Sequence, residues 1–340
     1  MSKRKFAWWD CLYTQKSVQL KPGNWNFTNN KGPTKFKLDD ATLLAFQKLI
    51  GKTENISFWD ITFDTCDFSG NFEHGQIKFK NCNFVNCDLG SNSTWTKTKF
   101  NHCNFTNCSF TLAEFNDCFF YECTWKSTTF NGSTKLINTL VSDACGLVDS
   151  GYTNLDTAVL EAKSVTPKHQ IWRLDQSKAK LSRMLMQGGE HHGDDLAYYS
   201  GVKSYLTQAV KASRSKARFN SVNGPKKKFN MVLGWILSFE LLILNLSGWL
   251  NSWGQSIAKP AIFGFIMTLV FGAGYAWEQD SMSLGLIKAF DITFLIGYTK
   301  HSILEACMPK QLLYAGNAFM GLWWYAIMVP CLVNRISRVM

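Results

Sequence analysis

Between residues 56 and 132 the large apolar positions recur every five residues. Phe58, Phe63 and Phe68 open the series. After a slip in phase it resumes at Phe79, Phe84 and Leu89, and after a second at Phe100, Phe105, Phe110, Phe115, Phe120, Trp125 and Phe130. A period of five fits neither the 3.6 of a helix nor the 2 of a plain strand. It predicts a short extended side followed by a bend, repeated along the chain. Within each side the residue two before the central one points the same way. That position holds Ile61, Cys66, Cys82, Cys87, Cys103, Cys108, Ala113, Cys118 and Cys123, all small enough to bury. The residues between them are Asn, Asp, Thr, Lys and Ser, which suit solvent and turns.

After Gly151 the period changes. Residues 171–187 set Ile171, Leu174, Leu181, Leu185 and Met186 on related faces of a helix. Gly188-Gly189 is expected to break it, and Asp194-Asp195 to cap a second helix through residues 197–218. Long apolar runs follow Lys228. Pro260 to Trp277 is 18 residues without a charge, about 27 Å as a helix and long enough to span. Gln311 to Asn334 is 24 uncharged residues closed by Arg335 and Arg338. Phe229 to Ala258 carries Glu240 near its middle, where a carboxylate costs about 2–3 kcal/mol on membrane-insertion scales.

Charge follows the same division. Met1 to Lys228 holds 30 Lys and Arg against 20 Asp and Glu, whereas Phe229 to Met340 holds 6 and 5 in 112 positions. So little charge implies that the last third is shielded from water. Lys203 to Lys228 carries eight basic residues and no acid, which assigns that end to the cytoplasmic face and to anionic headgroups. Nucleic acid is the weaker partner for this segment, which lacks interleaved aromatics. The opening MSKRKFAWWD has no apolar run of a secretory signal, so the front two-thirds is expected in the cytoplasm. If all three runs crossed, Arg335 and Arg338 would then lie outside, against the positive-inside tendency. The expectation is therefore two spans, with Phe229–Leu250 along the inner interface and Trp249 and Trp253 in the interfacial belt. Both termini are then cytoplasmic.

The 11 cysteines sit in a reducing compartment. The seven in the repeat column are five or more residues apart and read as core filler, since zinc sites use tighter converging loops. Glu190, His191, His192, Asp194 and Asp195 look like ligands on paper, yet no second ligand group sits at helical spacing, so they read as a solvated turn. No metal or cofactor is expected. No phosphate loop, Gly-x-Ser-x-Gly elbow or His-Glu-x-x-His is found, so no enzyme is expected.

The period-five segment resembles the pentapeptide repeat family. That resemblance implies a right-handed quadrilateral β-helix with four pentapeptides per coil, Phe100 stacking on Phe120, Phe105 on Trp125 and Phe110 on Phe130. It also implies end caps, for which residues 1–50, with Trp8, Trp9 and Trp25, serve at the N-terminus. The chain then divides into a cap region (1–50), the β-helix (51–150), a helical connector (151–225) and a membrane pore domain (226–340).

Between the two spans, residues 283–302 are too short and polar for a third and end in Ile296-Gly297-Tyr298-Thr299. The arrangement from about residue 226 onward is similar to two-transmembrane pore-loop ion channels: outer helix, pore helix, filter, inner helix. Bacterial proteins joining pentapeptide repeats to such a pore have this organisation, and Gly193-Asp194 and the Trp253-Gly254-Gln255-Ser256 turn also resemble it. The resemblance implies a filter at Thr293, Phe294, Leu295, Ile296, Gly297, Tyr298 and Thr299. Potassium channels carry Thr-Val-Gly-Tyr-Gly, and this segment keeps only Gly-Tyr, so weak selectivity among monovalent cations is expected. Asp291 favours cations there, with Lys288 and Lys300 offsetting it. Asn317, Gly321, Trp324, Met328 and Cys331 share a stripe that reads equally as pore lining and as helix packing, with Pro330 near a gate. Over the whole chain the resemblance implies an α-helical pore domain in a bacterial inner-membrane homotetramer that passes ions, with a cytoplasmic rod for sensing or for docking a protein partner. The alternative is a non-conducting, membrane-tethered scaffold.

Overall fold

The computed structural model describes residues 6–7, 24–26, 56–59, 62–64, 66–68, 73–75, 77–90, 92–153, 165–223, 226–279, 281–294 and 308–337. The chain forms two compact units, Met1–Leu241 and Leu242–Met340.

In the first unit the five-residue sides become short strands stacked in parallel ladders. One ladder joins Asn24–Asn26, Ile56–Trp59, Ile77–Lys80, Lys99–Asn101, Phe119–Tyr121 and Leu140–Val141. A second joins Thr62–Asp64, Asn83–Val85, Asn104–Thr106 and Thr124–Lys126, and a third Glu73–Gly75, Thr94–Thr96, Glu114–Asn116 and Lys135–Ile137. Isolated bridges link Asp88 to Ser109 and Ser109 to Thr129. Partners lie one coil apart, Phe79 opposite Phe100 and Phe100 opposite Phe120. This is a β-solenoid. From the cap region, Asn24–Asn26 and Phe6–Ala7 pair with solenoid strands.

The phase slips share one corner. The third ladder is reached six residues after Phe68, Leu89 and Phe130 but five after Phe110. An extra residue confined to a corner lengthens the coil without turning any strand's inward face outward, which a slip within a strand would do. This register brings in Trp95, absent from the simple period-five series; it is fully buried opposite Phe115. It also carries the repeat past residue 132, burying Leu136 and Val141 with Thr134 and Thr139 in the small-residue column.

The open end of the solenoid is closed by helices. Helix α1 (Ala144–Ser150) starts where Asp143 Oδ1 accepts from Gly146 N at 2.8 Å, and it buries Ala144, Leu147 and Val148. Leu181 and Leu185 of α2 (Pro167–His191) join the same core. Gly188-Gly189 does not break α2, contrary to the sequence expectation. A Cβ on Gly188 would collide with the Thr139 carbonyl oxygen, and one on Gly189 would lie 2.6 Å from Tyr198 N. The pair is there for close approach, to the rod on one side and to α3 (Asp195–Asn223) on the other. Asp194 caps α3 as expected, accepting from Ala197 N at 3.0 Å. The two helices meet through Ser182 and Ser204, whose hydroxyls lie 2.8 Å apart, and through Trp172 stacked on Phe219.

Helix α4 (Lys227–Asn251) contributes to both units. In the second unit a 3-10 turn (Ser252–Gly254), with left-handed φ of 60° at Trp253 and 98° at Gly254, precedes α5 (Ala258–Gln279). Helices α6 (Met282–Thr293) and α7 (Met308–Ser337) follow. Among the described residues three helices are long and apolar enough to cross a membrane: Lys227–Gly254, Ala258–Trp277 and Met308–Val333. The charge pattern of the sequence favours two. Despite Glu240, the first of these is the most apolar of the three and the longest.

Candidate functional site

Helix α6 is 12 residues long, about 18 Å, and too short to cross a hydrocarbon core of about 30 Å. It doubles back along α5 because both helices carry glycine where they touch. A Cβ on Gly272 would lie 2.6 Å from Leu286, and one on Gly285 would lie 2.6 Å from Ala276 N. Its buried face is Gly285, Lys288, Ala289, Ile292 and Thr293, against Tyr275, Tyr314 and Ala318 of the neighbouring helices.

The C-terminal end of α6 is fastened to the middle of α7 by two buried polar side chains. Thr293 Oγ1 donates to Asn317 Oδ1 at 2.9 Å, and Asn317 Nδ2 donates to the Ala289 carbonyl at 3.3 Å. Both residues are fully buried, so each partner removes a desolvation cost of about 1–3 kcal/mol. Gly321, one turn further along α7, leaves room for the Thr293 carbonyl; a Cβ there would collide with it.

Trp324 and Cys331 also face into their own chain. Trp324 Nε1 donates to the Pro260 carbonyl at 2.6 Å, with its ring over Gly264 and 5.5 Å from that of Phe294. Cys331 is buried and Met328 half-buried. Within one chain, then, Asn317, Gly321, Trp324 and Cys331 serve helix packing. Thr293 and Phe294 are brought together with them. Leu295, Ile296, Gly297, Tyr298 and Thr299 lie outside the described residues. The face of α7 turned away from α5 and α6 is apolar, with Leu312, Phe319, Leu322, Val329 and Val333 exposed.

Lys288, read from the sequence as a partial offset to Asp291, has its ammonium buried, donating to Tyr314 Oη at 2.7 Å and lying 4.5 Å and 5.2 Å from the ring centres of Tyr314 and Tyr275. Hydrogen bonding and cation–π attraction together offset its desolvation. Of this cage the sequence shows one wall only: Tyr314 shares a helical face with Asn317, Ala318 and Gly321 at i, i+3, i+4, i+7 spacing.

The ligand-like turn has other work. His192 Nε2 bonds the Asn138 carbonyl at 2.7 Å and its ring lies 4.8 Å from Phe119, while Asp194 caps α3.

Residues 95–124 match the pentapeptide-repeat family (pentapeptide repeats, 8 copies), so the chain contains pentapeptide repeats folded as a β-solenoid ahead of apolar, membrane-compatible helices. No curated protein matches the chain.

Proposed function

We propose that the chain is one subunit of an ion-conducting membrane assembly, four-fold because a re-entrant filter needs a ring of identical loops. The observation that carries this reading is α6. A helix that enters between two candidate spans, stops near the middle of α7 and is bolted there through Thr293 and Asn317 supports a re-entrant pore helix. Its C-terminal end carries the negative end of the helix dipole, which favours cations where residues 295–299 continue the chain. In this reading those residues form the filter, discrimination among monovalent cations is weak, both termini lie in the cytoplasm of a bacterial inner membrane, and the solenoid is a sensing or docking rod. We read the rod as four-sided, its three ladders completed by the column through Asp88, Ser109 and Thr129.

Planar-bilayer recordings of the purified chain in potassium, sodium and chloride gradients test this. Currents reversing with the cation gradients are expected; reversal following chloride, or silence, overturns the reading. A non-conducting scaffold is the second reading, favoured by the apolar outer face of α7 and the inward direction of Asn317.

A further inference from the structure

Where the basic segment meets the apolar one, α3 and α4 form a cleft of about 210 Å³ lined by Arg218, Ser221, Asn230, Met231, Gly234 and Trp235 among others. Its lining combines two chemistries. Arg218 and Asn230 have side chains without a hydrogen-bond partner among the described residues. Ser221 is committed, donating to the Arg218 carbonyl at 2.8 Å. Lys226, Lys227 and Lys228, just ahead of Asn230 in the chain, are exposed. Met231 and Trp235, in the same lining, are exposed apolar groups on a helix long and apolar enough to span. Gly234 lies in the same lining, with the Arg218 side chain 4.0 Å from where its Cβ would be, so a side chain much larger than a methyl there would project into the cleft.

We propose that this cleft binds an anionic phospholipid, its phosphate held by the Arg218 guanidinium and the Asn230 amide, its acyl chains along Met231 and Trp235. A guanidinium offers paired donors that match phosphate oxygens, and no acidic residue lies between Lys203 and Lys228 to compete. The charge and the apolar wall together select a lipid over a free anion, since a bare phosphate gains nothing from Met231 and Trp235. The proposal rests on the bilayer reading of α4 and not on conduction, so it stands or falls separately from the channel.

The test uses the full chain in detergent, titrated with phosphatidylglycerol, with phosphatidylcholine of the same acyl chains, or with glycerol 3-phosphate as headgroup alone, and read by native mass spectrometry as adducts per subunit. Phosphatidylglycerol is expected to bind about fivefold better than phosphatidylcholine, the effect of one basic residue near a lipid surface. Arg218→Gln and, separately, Gly234→Leu should each lower that preference severalfold, with Arg218→Lys retaining more of it. Arg218 is exposed, so its variants keep the test informative if Gly234→Leu misfolds. An unchanged preference in Arg218→Gln, no preference in the wild type, or displacement of the lipid by equimolar glycerol 3-phosphate would each overturn the proposal.

Discussion

Phe105 lies face to face between Phe84 and Trp125, with ring centres 4.9 and 4.7 Å away. Its neighbours across the core, Phe100 and Phe110, meet it edge-on. Parallel coils set the first spacing and the quadrupole of the rings favours the second. Phe105→Ala should therefore destabilise the solenoid by about 3–5 kcal/mol, because neighbours held by their own ladders cannot close the cavity; chemical denaturation followed by near-ultraviolet dichroism measures it. The column beside the rings admits Cys, Thr, Ser or Ala because each site is small and faces the carbonyl of a neighbouring coil. Cys108 Sγ reaches the Phe84 carbonyl at 3.2 Å, and Thr139 Oγ1 the Phe115 carbonyl at 2.9 Å. Hydrogen bonding with Cys87, and then burial, pushes the Cys108 thiol up; burial pushes up Cys103, which also meets Cys123, and raises Cys118 to about 12. A raised folded value gives stability that is complete below the unfolded thiol value and is lost as pH rises through the folded one. Between pH about 9 and 12 stability should fall by up to about 1.4 kcal/mol per pH unit for each such thiol, and the slope should be shallower in Cys118→Ala. Corner residues carry a different strain. Leu112 holds φ at 61° while half exposed, so Leu112→Gly should raise the unfolding midpoint, by roughly 1 kcal/mol of stability.

At the scale of elements, the period-five pattern made the solenoid legible because inward positions dictate residue type on every side. Trp95 escaped it, since an extra corner residue moved the phase without moving the fold. Gly188-Gly189 escaped for the opposite reason: local propensity reads two glycines as a stop, and only the rod's Thr139 carbonyl explains why a helix continues through them. Propensity predicts that Gly188→Ala stabilises α2 by about 1 kcal/mol; close approach predicts a loss of about 1–3 kcal/mol, and the sign of the change in melting temperature decides. Likewise the stripe from Asn317 to Cys331 was visible, but not whether it faced a pore or its own chain. Helical spacing identifies a face and leaves its partner open. If Thr293 and Asn317 act as a pair, Asn317→Leu should cost about 1–3 kcal/mol. The double variant with Thr293→Val should then cost less than the two singles summed, the coupling expected of contacting residues. Unfolding in mixed detergent supplies the four values, and strict additivity would show that the hydrogen bond carries no energy.

At the scale of the whole molecule, the sequence divides by charge into a basic front and a charge-poor last third, and three of the described helices are long and apolar enough to cross a membrane. The positions of Arg335 and Arg338 lead the sequence reading to two spans, with Glu240 counting against the first run, whereas by length and hydropathy that run qualifies with the other two. Cysteine labelling from the outer face at introduced sites near residues 280 and 338 decides between two and three: reaction near 280 alone is expected for two spans, and reaction at 338 would require three. The central claim, that residues just after α6 conduct ions, is tested most directly by single-channel current from the wild type and Gly297→Val at matched insertion. A filter must turn backbone carbonyls through dihedrals that suit glycine and disfavour a β-branched residue. Discrete cation currents in the wild type, abolished or altered in Gly297→Val, are the predicted result; wild-type-like currents from Gly297→Val, or none from either protein, would contradict it.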